Sequence, residues 1–148
     1  MYSAATVATG AGSTTLGMVS LYAGANGGGF IRKIQVENPT TSAVDICVRR
    51  ATTAGTQGAS VAALNWQDGA GPLCTVVQAH SVGPTLTSGF IDRYQFPASM
   101  AGAVVVWTYE GSGLYVPKGT TNGIVVLPAA GTGQLCVVTF QWEESSSS

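Results

Sequence analysis

The chain of 148 residues carries little charge, because only 9% of its residues are charged, against about 25% in an ordinary soluble domain. Hydrophobic residues make up 45% of the chain, 20 residues are glycine, and the formal net charge is -1. This length favours a single domain, and the 6 scattered basic residues do not supply the positive patch that nucleic-acid binding requires.

Two interpretations fit this shortage of charge: an unusually neutral β-protein, or a β-domain whose surface lies against other protein. We favour the second, because so little charge gives weak repulsion between neighbouring molecules.

Residues 1–6 (MYSAAT) have neither the basic nor the apolar region of a secretory signal. No stretch approaches the roughly 20 apolar residues of a membrane helix. We therefore expect a soluble chain, made in the cytoplasm, with no membrane partner.

Residues 1–15 are rich in Ala, Thr, Gly and Ser and show no periodicity. They are predicted to form an N-terminal arm that is flexible or becomes ordered on a neighbour, with Tyr2 and Val7 as candidate contact residues. Residues 16–144 are predicted to form the single domain, and the serines at 145–148 a disordered tail.

Within the domain, apolar and polar residues alternate with a period of two, as Ile34 and Val36 do with Gln35 and Glu37. This period is typical of half-buried antiparallel strands, and clusters of Gly, Asn and Pro mark the turns between them. The strands are predicted at about 16–23, 30–38, 43–51, 73–80, 88–96, 102–110, 113–117, 122–128 and 134–143.

Eight or nine short strands predict an all-β fold, either an antiparallel β-sandwich, which we favour, or a barrel. The glycines at 27–29 are interpreted as a turn. Residues 59–66 are compatible with one or two helical turns.

Three cysteines, Cys47, Cys74 and Cys136, are far apart in the sequence and odd in number. Zinc sites use clustered Cys and His ligands, and no such cluster is present here. We expect three reduced thiols that behave as small apolar side chains, and one disulfide with one free thiol stays as the alternative. The alternation places Cys136 in a core row and points Cys47 outward.

Two predicted strands, 103–107 (AVVVW) and 124–127 (IVVL), are apolar on both faces. Such a strand needs a second cover, either a long loop of the same chain or another subunit. Because the chain has so little charge, another subunit is favoured. Val104, Val106, Val125 and Leu127 are therefore predicted to lie at a protein–protein interface.

No catalytic, metal-binding or cofactor-binding residue is predicted. His80 is the only histidine, its neighbours show no nucleophile motif, and the 7 acidic residues do not suggest a paired-carboxylate site. We therefore predict a protein that is not an enzyme.

The sequence pattern predicts that Trp66 and Tyr115 are exposed, and they form the alternative ligand platform, for example for a sugar ring. The competing interpretation is that Trp66 anchors a loop.

Six segments carry a resemblance to a known group of proteins: SLYA (20–23), FIRKI (30–34), TTAGTQG (52–58), HSVGPT (80–85), GLYVPKGTTNGI (113–124) and FQWEE (140–144). In these segments the chain resembles small β-proteins encoded in the structural modules of tailed bacteriophages. The resemblance covers most of residues 16–144, and its motifs are turns and strand ends.

Some jelly-roll proteins of this size and gene context are decoration (cement) proteins on the outside of the phage head. The resemblance therefore implies a jelly-roll strand order for the sandwich. It also implies a virion protein that binds the major capsid protein, bridges coat subunits and associates with itself as a homodimer or homotrimer. The alternative function is a binding module of the neck, tail or fibre that contacts host glycans.

Overall fold

The computed structural model describes residues 1–6, 9–67 and 71–146. In these residues twelve β-strands and no helix form two antiparallel sheets, which confirms the predicted β-sandwich. The strands are β1 (Tyr2–Ala5), β2 (Val19–Tyr22), β3 (Gly27–Asn38), β4 (Val44–Ala51), β5 (Ser60–Val61), β6 (Leu64–Asn65), β7 (Thr75–Gln78), β8 (Asp92–Phe96), β9 (Ala103–Thr108), β10 (Leu114–Val116), β11 (Gly123–Ala130) and β12 (Val137–Ser146).

The strand order of the first sheet, sheet 1, is β10-β3-β12-β1-β6, with β9 also paired to β3. The order of sheet 2 is β5-β7-β2-β11-β4-β8. Strand β12 takes one edge of β3, while β9 and β10 follow one another along the other edge. The finer expectation of a jelly roll is not established by this order and stays a prediction.

The glycines at 27–29 begin strand β3, so their interpretation as a turn is wrong. A Cβ atom at Gly28 would overlap the carbonyl oxygen of Val116 on β10. At Gly29, a Cβ would lie 3.1 Å from the sulfur of Cys74. Glycine is therefore needed in this strand because neighbouring backbone and side-chain atoms lie too close to leave room for a Cβ atom.

The main core lies between the sheets and contains the inward-facing row of each strand. Phe140 and Trp142 of β12 are completely buried, as are Ile31 and Ile34 of β3. A β-bulge opposite Gln141 places two successive residues of β3 outward and so keeps both isoleucines inside. Burial of large apolar side chains contributes about 1.5–3 kcal/mol each, so this row supplies much of the stability.

The N-terminus belongs to the sandwich. Strand β1 pairs with β12 on one side and β6 on the other, and the Tyr2 ring stacks on Trp142 with centroids 5.8 Å apart. Tyr2 therefore packs against the core instead of extending from an arm. Val7 lies outside the described residues.

Two further short segments also differ from their predictions. Residues 145 and 146 are the last residues of β12 and pair with Gly28 and Gly27, so this part of the predicted serine tail is in a strand, while 147 and 148 lie outside the described residues. Residues 59–66 contain the two-residue strands β5 and β6 and no helix.

A second apolar cluster covers the outer side of sheet 2. Segments 52–59 and 79–91 lie over this side, held by isolated bridges between Ala51 and Leu86 and between Thr56 and Val82, and by the Tyr22 hydroxyl, which donates to the Thr53 carbonyl at 2.9 Å. The buried members of the cluster are Tyr22, Cys47, Ala51, Val77, Val125 and Leu127.

This cover overturns the interface predictions for Val125 and Leu127, and it buries Cys47, which was predicted to point outward. Cys47 does lie opposite the main core, but it is buried, because loops of the same chain cover that face. Val125 and Leu127 have no exposed surface for the same reason. They contact the chain's own loop segments, so the prediction that they form an intermolecular interface is wrong.

All three cysteines are free and buried. Burial raises the pKa of Cys47 to about 11 and that of Cys136 to about 12. Burial, reinforced by the carboxylate of Glu144, raises the pKa of Cys74 to about 12. Each side chain is thus a protonated, apolar thiol at neutral pH, as predicted.

Candidate functional site

The outer side of sheet 1, here called the open face, has no cover from any described segment of the chain. Its side chains form three rows that cross the sheet at registered positions. The rows are Val104–Glu37–Val137, Val106–Gln35–Thr139–Ala5 and Thr108–Lys33–Gln141–Ser3–Leu64. Neighbouring strands lie about 4.8 Å apart, so the longest row spans roughly 20 Å.

The open face is apolar to weakly polar. Val104 and Val106 are 45% and 48% exposed, and Leu64 at the opposite edge is 66% exposed. Within the three rows only Lys33 and Glu37 carry charge. The remaining residues are small aliphatic, hydroxyl or amide side chains, which are less costly to desolvate than charged groups. The surface is therefore suited to contact with another protein.

A fourth row continues the open face beyond the bulge: Tyr115 pairs with Phe30, and Phe30 with Glu143. The two aromatic rings stack with centroids 4.9 Å apart. Next to them, Arg32 donates to the Glu143 carboxylate from Nη2 at 2.6 Å and from Nε at 3.1 Å. Phe30, Arg32, Ser112 and Glu143 line a cavity of about 240 Å³. This end of the face thus combines an exposed aromatic ring with polar groups.

Trp66 lies at the other edge of the open face, directly after β6. Its backbone N–H donates to the carbonyl of Met1 at 3.1 Å, and its indole N–H donates to the Ser3 hydroxyl at 3.0 Å. The ring is still 55% exposed. Trp66 therefore anchors its loop to β1, and it also offers an aromatic surface at the rim of the face.

Four of the sequence-predicted site residues come together on this one face: Val104 and Val106 on β9, Tyr115 on β10, and Trp66 beyond β6. Gln35 and Thr139 were not predicted, although they occupy the middle row. Their alternation with buried residues marks them as solvent-facing. Only the register between strands reveals that they share a surface with the valines.

A separate cleft of about 550 Å³ lies at the edge of sheet 2, lined by residues 43–45, 95–97 and 130–132. Asp45 is the charged group in its wall. Its carboxylate is ion-paired with Arg93 and accepts a hydrogen bond from the Gln95 amide. The bond from Arg93 holds the pKa of Asp45 below its usual 3.8. Because both oxygens are already engaged, this carboxylate is poorly suited to act as a base.

His80 lies under the cover of sheet 2, with 5% of its surface exposed. Within the described part of the chain, neither of its ring nitrogens has a hydrogen-bond partner. Burial lowers the pKa of His80 below its usual 6.5, and nearby backbone groups of Ala54 and Gly17 act in the opposite direction. The ring is therefore neutral at pH 7.

No group of three or more His, Cys, Asp or Glu side chains that could hold a metal ion occurs within residues 1–6, 9–67 and 71–146. In the same ranges no helix is long and apolar enough to cross a membrane. Comparison with known proteins found no matching family model, no matching curated protein and no matching solved structure.

Proposed function

We propose that this protein is a decoration (cement) protein of a tailed-bacteriophage head, which binds the major capsid protein through the open face of sheet 1 and stabilises the shell by bridging coat subunits. The observation that carries this proposal is the asymmetry of the sandwich. The outer side of sheet 2 is covered by the chain's own loops, whereas the outward-facing apolar side chains of sheet 1, such as Val104 and Val106, are uncovered. The choice of a phage head follows from the resemblance of the sequence.

A low-charge face suits binding to a repeating shell. Contacts between small aliphatic and hydroxyl side chains depend little on salt, because they contain few charges to be screened. One molecule that contacts two coat subunits gains affinity from the second contact through effective concentration. Preferential binding to the assembled shell would then stabilise it by mass action.

Thr139→Arg tests this proposal, because Thr139 lies in the middle row of the open face. We expect binding to shells that lack the protein to weaken about 100-fold, since a buried unpaired charge costs about 3 kcal/mol or more. Co-sedimentation with such shells measures the binding. Val82→Arg is the matched control, because Val82 is 58% exposed on the cover of sheet 2, and it should bind as the wild type does.

Equal binding by both variants and the wild type would contradict the assignment of the open face.

The copy number of the protein in purified phage particles tests the decoration role itself. One copy per coat subunit, or a simple fraction of that, is expected for a shell-wide decoration protein, whereas absence from the particle would overturn the proposal.

A second function, a neck, tail or fibre module that binds host glycans, is favoured by one observation. The exposed, stacked Tyr115 ring lies beside the small cavity and the Arg32–Glu143 pair, a combination that suits the apolar face and hydroxyls of a sugar ring. On a glycan array, this function predicts a specific signal that Tyr115→Ala reduces at least about tenfold, or about 1.4 kcal/mol. Phe90→Ala, which removes an exposed ring elsewhere, should not change it.

A further inference from the structure

The edges of the two sheets differ in how they are protected against pairing with another chain. Proteins blunt edge strands by keeping them short or by placing charges on them. Here β5 and β6 have two residues each, β10 has three, and β8 carries Asp92 and Arg93. Strand β9 has six residues, AVVVWT, without charge, proline or a register shift. Among the described strands, β9 is thus the unprotected edge.

The free side of β9 offers backbone groups for pairing. Strand β9 pairs with β3 alone, and the Tyr109 N–H donates to the Arg32 carbonyl at 2.9 Å, which continues the same register. In an antiparallel ladder, residues two apart direct their backbone groups to the same neighbour. The backbone N–H and C=O groups of Val105 therefore point toward β3, as those of Tyr109 do. The N–H and C=O groups of Val104 and Val106 point away from the sheet.

We propose that β9 pairs antiparallel with β9 of a second copy of this chain, so that sheet 1 continues across a two-fold axis. With Val105 on the axis, Val104 of each copy lies opposite Val106 of the other, and these two hydrogen-bonded pairs satisfy the outward backbone groups. On the inner side, Ala103 then lies opposite Trp107, a small side chain against a large one.

A second copy fits this edge because the partner must be an extended, uncharged strand that is apolar on both faces. Strand β9 meets these requirements itself, since Val104 and Val106 are exposed on one side while Val105 and Trp107 pack against the core on the other. Antiparallel pairing about a two-fold axis is also closed, so it gives a dimer and not a fibre. The pairing goes beyond the proposed capsid role and does not require it.

Sedimentation equilibrium over a range of concentrations tests the pairing. We expect a reversible dimer of twice 15.0 kDa, with a dissociation constant on the order of 10 µM, because an edge contact is smaller than a standard interface. Val106→Pro should abolish the dimer while the monomer stays folded, because it removes an N–H on the free side of an edge strand. Val106→Thr keeps that N–H and should dimerise within about threefold of the wild type.

Amide hydrogen exchange provides a second readout that needs no variant. The N–H groups of Val104 and Val106 should gain protection as protein concentration rises, whereas the N–H of Val105, bonded within the monomer, should be protected throughout. A wild type that stays monomeric up to about 500 µM, a trimer, or a dimer without new protection at Val104 and Val106 would each overturn the proposal. Dimerisation of a folded Val106→Pro variant would do the same.

The same variants separate this pairing from the proposed function. Thr139 lies two strands away from β9 across the sheet, so Thr139→Arg should dimerise normally even where it fails to bind shells. Loss of shell binding without loss of the dimer, or the reverse, then identifies which of the two proposals fails.

Discussion

Leu127→Asp will unfold the protein or leave it barely stable, whereas Val106→Asp will give a folded protein close to wild-type stability. Leu127 has no exposed surface and lies between β11 and the loops that cover sheet 2. The cations nearest this face, Arg49 and Arg93, are already bound to the Thr87 carbonyl and to Asp45, so a buried carboxylate there would lack a partner, which costs at least about 4 kcal/mol. Whole-domain stabilities are only about 5–15 kcal/mol. Val106 is 48% exposed on the open face, so its charged replacement stays in water and costs about 1 kcal/mol or less.

Urea unfolding followed by tryptophan fluorescence and circular dichroism measures both effects. Leu127→Ala is the intermediate control and should cost about 2–5 kcal/mol, because it leaves a cavity without introducing a charge. Near-wild-type stability of Leu127→Asp would mean that the cover lifts from sheet 2 in solution. Unfolding of Val106→Asp would mean that the open face is covered within the monomer.

The two strands in this comparison have the same sequence pattern, and the pattern predicts only that each needs a second cover. It does not reveal where the cover comes from. For β11 the cover includes segments 52–59 and 79–91, which are rich in Thr, Gly and Ser and contain isolated apolar side chains such as Leu86. Residues 52–58 and 81–87 show no period of two and lie outside the predicted strands, so the pattern does not identify them as a cover. The burial of Cys47 was missed for the same reason.

Strand prediction succeeded where the alternation extends over several residues. Each of the nine predicted strands corresponds to a strand of the sandwich, and the three that were missed are β1, β5 and β6. A two-residue ladder is too short to show a period of two, and β1 has the sequence YSAA, in which small residues hide the alternation. These strands form through pairing with neighbours distant in the sequence, which local patterns do not encode.

The candidate site was predictable in part. The exposure of Val104, Val106, Trp66 and Tyr115 follows from the local pattern. Their presence on a single face depends on the order of the strands in sheet 1, which the pattern does not give. The same holds for β9, because alternation identifies a strand but does not show that it lies at an edge.

Glu144→Ala will lower the free energy of unfolding by about 3 kcal/mol, whereas the same change at the adjacent Glu143 will lower it by less than about 1 kcal/mol. The Glu144 carboxylate accepts hydrogen bonds from the backbone N–H groups of Leu73 and Cys74, at 2.8 and 2.7 Å, and from the indole N–H of Trp142 at 3.0 Å. Trp142 has no exposed surface, so its N–H would lose its partner where water does not reach. Glu143 makes one ion pair with Arg32 at a half-exposed site.

Thermal unfolding of the two variants checks the contrast, because about 3 kcal/mol corresponds to a shift in midpoint of roughly 6–12 °C for a chain of this size. Glu144→Gln should fall between Glu144→Ala and the wild type, since the amide oxygen still accepts these bonds but without the charge. Equal effects at the two glutamates would show that the bonds of Glu144 do not persist in solution. The expected inequality would identify Glu144 as the link that joins β12 of sheet 1 to the start of β7 in sheet 2, and so holds this end of the sandwich closed.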